Sequence, residues 1–207
     1  MLLPEEEAIC SECLSSLTKT THVQADKEYE RKFSSSKIID EFHPLYIFEK
    51  GEIIQNLLHS LKYNNAFFVG KFFGKQIAKE FAGDFKIFNP DMIIPVPLHR
   101  LKKAERGYNQ SYWIAKGVAS ELRIEIAHKT VKRRKYTESQ TAFDKAERSR
   151  NISGAFRVAK PNSVKGKRII IVDDVVTTGA TASELAAALK NAGADKTLLA
   201  SVAIPLL

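Results

Sequence analysis

Four consecutive β-branched residues, Ile169-Ile170-Ile171-Val172, run directly into Asp173 and Asp174 within the string KGKRIIIVDDVVTTGATASE, which spans Lys165 to Glu184. The run is too short for a helix and apolar at every position, the pattern of a strand buried on both faces. Strands of that kind belong to parallel sheets with helices on each side, so this stretch alone restricts the chain to an α/β architecture. Ligands of open α/β sheets bind at the carboxyl ends of the strands, and the acidic pair stands at such an end.

Two neighbouring carboxylates repel, and their placement calls for a partner that donates hydrogen bonds or carries positive charge. A vicinal diol does the first and a magnesium ion the second. The segment VVTTGATASE then turns into a helix, where Thr181 and Glu184 match the S/T-x-x-E capping box and predict a start at Thr181 or Ala182. The free amides of the first turn, the hydroxyls of Thr177, Thr178 and Thr181, and the close backbone approach that Gly179 permits make a phosphate cradle. Acids for a diol beside a cradle for a phosphate describe a ribose 5-phosphate site. A Walker A loop would need a lysine after its second glycine, and a dinucleotide fingerprint would need G-x-G-x-x-G; neither pattern is present. A receiver domain also ends a strand in V-D-D, but there most of the fold follows the acidic pair, whereas here little more than one helix and one strand remain.

The rest of the chain alternates in the same way. LYIFEKG predicts a strand, and Ile53, Ile54, Leu57, Leu58 and Leu61 recur at helical spacing. Val69, Phe73, Ile77 and Phe81 recur every four residues and predict a second helix. DMIIPVPL is a short strand that delivers the chain into a basic loop, HRLKKAERGYNQ; Asn109 then caps a helix carrying Ile114, Val118 and Leu122, with Trp113 beside that stripe. A strand is expected over 127–133. The stretch KRRKYTESQTAFDKAERSRN lacks a clean period and reads as a mobile loop, followed by a short strand in GAFRVA. The helix after the acidic pair runs to about Ala192, Gly193 is its left-handed stop, and KTLLASVAI is the last strand. Alternating strands and helices predict right-handed βαβ units and a central, mostly parallel sheet. A length of 207 residues suits one main domain, taken as 41–207, preceded by a polar arm over 1–40.

Charge adds a second constraint. The chain carries a net +8, and the excess is confined to two segments: Arg100 to Arg106 contributes +3 and Lys129 to Arg150 contributes +5, while the remainder is balanced. Two local positive fields point to an anionic partner. No apolar stretch approaches the roughly 20 residues that span a bilayer, and the N-terminus lacks a basic region followed by an apolar one, so a cytoplasmic protein is expected. Cys10 and Cys13 form a C-x-x-C pair too closely spaced for a structural disulfide.

The string IIIVDDVVTTGATA resembles the phosphoribosyl pyrophosphate (PRPP) signature of type I phosphoribosyltransferases, and IPVPLHRLKKAERGYNQ and KRRKYTESQTAFDKAERSRNISGAF resemble segments of the ComF family of competence-associated proteins. The resemblance covers roughly 45–207 and implies a Rossmann-like type I phosphoribosyltransferase fold. It assigns Asp173 and Asp174 to the ribose hydroxyls, and Thr177, Thr178, Gly179, Ala180 and Thr181 to the 5-phosphate. The segment His99 to Asn109 takes the place of the pyrophosphate loop, with Arg100 and Arg106 as the natural donors, since guanidinium forks suit phosphate oxygens. Lys132 to Asn151 corresponds to a hood over the site, in which Glu138 and Gln140 fall. The implied ligand is PRPP with Mg2+. The implied role is accessory to DNA uptake in natural competence, with single-stranded DNA and the competence machinery as partners and Tyr108, Trp113, Tyr136 and Phe143 available for base stacking. The alternative is an active phosphoribosyltransferase of nucleotide synthesis or salvage that releases pyrophosphate. ComF-like proteins begin with a zinc module of two C-x-x-C pairs; here Cys10 and Cys13 match only the second pair, half of a zinc ribbon, with His22 as a conceivable third ligand where tetrahedral zinc wants four.

Overall fold

A computed structural model describes residues 8–135 and 154–206. It contains strands β1 (Glu41–Ile47), β2 (Met92–Pro95), β3 (Val131–Arg133), β4 (Phe156–Val158), β5 (Arg168–Val175) and β6 (Lys196–Ile204). The helices are α1 (Ser11–Ser15), α2 (His22–Lys32), α3 (Ile53–Tyr63), α4 (Phe67–Glu80), α5 (Ala82–Phe88), α6 (Arg100–Arg106), α7 (Gln110–Leu122) and α8 (Ala180–Asn191). Four strands form one sheet in the order β1-β6-β5-β2, and every neighbouring pair in it is parallel.

The apolar run sits where its composition demands. Ile169 to Val172 have no exposed surface, and β5 is flanked on both edges, with Ile170 opposite Ile93 on one side and Leu198 on the other. Successive side chains of a strand point to opposite faces, and the run divides accordingly. Ile170 and Val172 join a core with Leu58 and Leu61 of α3, Phe73 and Ile77 of α4 and Ile114 of α7. Ile169 and Ile171 join a second core with Phe33, Ile39 and the α8 residues Leu185 and Leu189. The residues before β1 therefore contribute Phe33 and Ile39 to the layer that also holds α8.

α4 and α7 cross with their backbones in contact. A Cβ on Gly74 would lie 2.0 Å from the Ile114 carbonyl oxygen, and one on Gly117 would lie 2.1 Å from that of Lys71. Only glycine permits this approach, and it sets the position of α7, whose first turn reaches the end of β5.

Several boundaries differ from the sequence expectation. The first strand begins at Glu41, because pairing with β6 (Glu41 opposite Leu198) extends it upstream of the LYIFEKG string. The basic segment after β2 is not a loop throughout: Arg100–Arg106 is helical, with His99 as its N-cap and Gly107 in the left-handed conformation as its stop. The GAFRVA strand is β4, but it pairs antiparallel with β3 in a separate two-stranded sheet. The expected capping box of α8 does not form. Gly179, at φ 79°, precedes a helix that starts at Ala180, and Glu184 instead accepts a hydrogen bond from the Gly154 amide at 2.6 Å. Asn109 caps α7 as expected, its Oδ1 accepting from the Ser111 amide at 3.1 Å. Gly193 follows α8 at φ 94°. The segment 136–153, which includes Tyr136, Glu138, Gln140 and Phe143, lies outside the described residues. Among the described residues no helix is long and apolar enough to cross a membrane.

Candidate functional site

Asp173 and Asp174 end β5 beside Ser201 of β6, at the carboxyl edge of the sheet. Asp174 is almost fully buried, at 6 % exposure, and Asp173 is half-buried. The strand's alternation turns Asp174 toward the layer of α3 and α7, which supplies its partners. Lys62 at the end of α3 places Nζ 2.9 Å from Asp174 Oδ2, and Gln110 at the start of α7 approaches the same oxygen through Nε2 at 3.5 Å. Asp174 Oδ1 accepts from the Val175 amide at 2.8 Å. Asp173 Oδ1 accepts from Ser111 Oγ at 3.0 Å and from the Asp174 amide at 2.9 Å. The Oε1 of Gln110 is buried with no hydrogen-bond partner among the described residues, and Gln110 is 5 % exposed. A buried amide oxygen left in that state costs free energy, so it marks a place where a donor is wanted.

The two acids are driven apart electrostatically. Burial and then the neighbouring Asp174 charge push Asp173 up to about 7, against the pull of its hydrogen bonds from the Asp174 amide and Ser111 and of the Lys62 charge. Burial acts on Asp174 in the same direction, but the Lys62 charge and hydrogen bond outweigh it and hold that carboxyl below its usual range. Lys62 is raised in turn: burial disfavours its charge, but Asp174 and Asp173 favour it more, with Arg106 opposing them. Near neutral pH the pair therefore offers one firmly ionised carboxylate and one carboxyl able to give or accept a proton.

The turn behind the pair runs through Thr177, Thr178 and Gly179 into α8. Thr177 is exposed, Thr178 and Thr181 are half-buried, and Thr178 Oγ1 accepts from the Ala180 amide at 3.4 Å. The first amides of a helix lack intrahelical acceptors and point along the positive end of the helix dipole. Gly179 is fixed by close contact with the N-terminal region, since a Cβ there would stand 2.5 Å from Cε1 of Phe33. Lys32, just before that ring, is paired with Glu28, which Arg31 also contacts.

The two arginines of the basic segment do different things. Arg100 opens α6 and is exposed. Arg106, about 9 Å further along the helix axis, lays its guanidinium carbon 5.2 Å from the Tyr63 ring centre, with Nη2 3.5 Å from the Tyr63 hydroxyl. Tyr63 follows Lys62, so Arg106 is brought toward the acidic pair and Arg100 is not shown there. Tyr108 donates its hydroxyl hydrogen to the Leu61 carbonyl, fastening the same segment to α3. Asn109 Nδ2 donates to the Val96 carbonyl at 3.0 Å, which ties α7 to the end of β2. Arg133 of β3 is also near, because Asp173 acts on it electrostatically while burial lowers its pKa.

Lys62, Gln110 and Ser111 were not among the sequence-derived candidates. Gln110 and Ser111 follow the Asn109 cap and could have been placed by continuing α7 from it. For Lys62 there was no such signal, since the pairing spans over a hundred residues. Cys10 caps α1 through its sulfur, which accepts from the Cys13 amide at 3.4 Å, and neither cysteine is in a disulfide. His22 begins α2. Among the described residues no group of three or more His, Cys, Asp or Glu side chains converges to hold a metal ion.

With this geometry in place, comparison with known proteins is informative. Residues 109–204 match the Phosphoribosyl transferase domain family. "Competence protein F" of Haemophilus influenzae is 29% identical over 149 residues, which cover 70% of this chain and 65% of that protein. "Competence protein ComFC" of Bacillus subtilis is 27% identical over 199 residues, 87% of this chain and 77% of that protein. The chain is thus similar to ComF-type competence proteins, and its C-terminal half matches the phosphoribosyl transferase domain family. "DNA utilization protein YhgH" of Escherichia coli is 38% identical over 105 residues, 51% of this chain and 45% of that protein. The chain thus spans between about half and two thirds of the length of several curated relatives that it matches. The four-stranded parallel sheet with helices on both faces is the type I phosphoribosyltransferase fold, and the matched region begins at the Asn109 cap and contains both carboxylates and the turn to α8.

Proposed function

We propose that this ComF-like protein binds PRPP, or a closely related phosphorylated ribose, at the carboxyl end of β5, in service of DNA utilization during competence. The observation that carries the reading is the acidic pair itself: Asp174 is held ionised by Lys62, Asp173 is held by Ser111, and the α8 N-terminus follows within six residues. A diol donates two hydrogen bonds, which suits carboxylate oxygens. A phosphate accepts several, which suits the Thr177 to Thr181 turn and its amides. Arg106 would meet the diphosphate, and Arg100 would do so only if its half of α6 moved toward the site.

The donor set fits a magnesium ion carried by the ligand. Magnesium is commonly held by one or two carboxylates together with substrate phosphates, and Asp173 and Asp174 are the oxygens available here. When bound, the ion neutralises charge on the diphosphate. The chain's own residues orient the ribose through the two acids and fix the 5-phosphate at the turn. Zinc at Cys10 and Cys13 would need two further ligands from outside the described residues.

Calorimetric titration with PRPP and Mg2+ tests the reading. Saturable binding that disappears in the Asp173→Asn/Asp174→Asn double variant, with the far-ultraviolet circular dichroism unchanged, supports it; unaltered affinity in that variant rejects the site.

A second reading, an active transferase, is favoured by the proton-active Asp173 beside an ionised neighbour, an asymmetry that pure binding does not need. It predicts pyrophosphate release from PRPP with some nitrogenous base or amide donor. Absence of release across a panel of such acceptors leaves the binding role.

A further inference from the structure

We infer that Lys62 is a specificity-determining residue of this site: one of its N–H groups holds Asp174, and the others read a second anionic group on the ligand, on the far side of the sugar from the phosphate turn. The inference rests on the reading of the site given above and deepens it with a residue from α3, outside every motif-bearing segment. An ammonium group has three donors in a tetrahedral array. Asp174 Oδ2 takes one at 2.9 Å, and the Lys62 side chain keeps 26% of its surface exposed, so the remaining donors are not sealed inside the core.

The surroundings of Lys62 are too positive for Asp174 alone. Arg106 lies close enough to act on Lys62 electrostatically, and its guanidinium is fixed over the ring of Tyr63, the next residue in α3. Two cations held near each other repel unless an anion stands between or beside them. Asp174 supplies one negative charge, and it is already shared with Gln110 and the Val175 amide. Asp173 has Arg133 in its own field. On the α3 and α6 side Lys62 and Arg106 stand together, with Asp174 as the carboxylate that Lys62 contacts. A sugar bearing only a 5-phosphate would use the turn and the acids. A sugar bearing a second phosphate group at its anomeric carbon would also meet Lys62 and Arg106.

Calorimetry on the full chain with two probes separates this role from simple support of Asp174. The probes are PRPP with Mg2+, anionic at both ends, and ribose 5-phosphate, anionic at one. Lys62→Met is expected to weaken PRPP about ten-fold or more beyond any loss seen with ribose 5-phosphate, and Lys62→Arg to restore most of that preference. Lys62→Gln keeps a donor for Asp174 and replaces the methionine variant should that one fail to fold; the same loss of preference is expected from it. Equal weakening of both probes would mean that Lys62 acts only as the counter-ion of Asp174, which overturns this inference and leaves the site intact. A wild-type protein that binds neither probe overturns the site and this inference together.

Discussion

The ring of Phe33 occupies the space into which a side chain on residue 179 would grow: a Cβ on Gly179 would lie 2.5 Å from Phe33 Cε1 and 2.8 Å from Cζ. Phe33 has no exposed surface, so the ring cannot yield into solvent, and Gly179 also holds φ 79°, where other residues are strained. Gly179→Ala is therefore expected to cost about 2 kcal/mol in denaturant unfolding and to weaken phosphoribosyl ligands, because the turn that precedes α8 must shift. Phe33→Leu in the Gly179→Ala background removes part of the clash and should recover part of the loss. Additive losses in the double variant would show that the two residues do not communicate.

Asp173 and Asp174 are adjacent, but their amide variants should have opposite effects on stability. The pKa of Asp173 is raised to about 7 in the fold, so its contribution is complete below the unfolded carboxylate value and is lost as pH rises through about 7. Asp173→Asn mimics the protonated form and should raise stability at pH 8 by about 1 kcal/mol or more, while flattening the decline between pH 4 and pH 7. The pKa of Asp174 is lowered, so its contribution is present above the unfolded value and is lost as pH falls through the folded one. Asp174→Asn leaves Lys62 without its partner and should cost about 2 kcal/mol at pH 7. Thermal melts of both variants across pH 4 to 8 provide the measurement; effects of the same sign would contradict the division of roles.

The crossing of α4 and α7 transmits packing to the site. With Gly117 Cα against Gly74, a methyl group at residue 117 would meet the Lys71 carbonyl at 2.1 Å, and backbone cannot move aside as a flexible side chain does. Gly117→Ala should destabilise the protein by about 3 kcal/mol. In the surviving folded fraction it should also weaken ligand binding, because α7 carries Gln110 and Ser111 to the two carboxylates. A melting temperature unchanged within a degree would contradict the packing described.

What the sequence could reveal depended on how local the signal was. The buried strand was legible because Ile169 to Val172 carry their evidence in one short run, and Asn109 was legible as a cap because its partner is two residues away. The stop at Gly193 is likewise a local backbone requirement. The α8 capping box does not form even though its motif is local, because the helix starts at Ala180 after a left-handed Gly179 and Glu184 is taken by the distant Gly154 amide. Helix α6 reads as a loop in the sequence because none of its residues is buried and no apolar period marks it. Lys62 was invisible for a related reason: its role depends on packing α3 against the end of β5, and a lysine ending an amphipathic helix is ordinarily a solvated charge.

Trp113, the single tryptophan of the chain, offers a direct test of single-stranded DNA as a partner. Its ring stacks on Phe67 at 4.6 Å, Lys116 Nζ lies 4.6 Å from its centre, and Tyr112 packs edge-on beside it. Phe67 and the neighbouring Phe68 are exposed at 43% and 47%, so the cluster presents aromatic surface with a cation beside it. Base stacking on such surfaces contributes about 1–3 kcal/mol per base, and phosphate contacts make the affinity fall as salt rises. Tyr108 is less suited to this role, because its hydroxyl is committed to the Leu61 carbonyl. Titration with an oligothymidylate at low salt should quench Trp113 emission, the apparent affinity should fall steeply on raising the salt, and Phe67→Ala should weaken binding about ten-fold. Emission that does not change at any oligonucleotide concentration, or an affinity indifferent to salt, would reject this face as a single-stranded DNA surface.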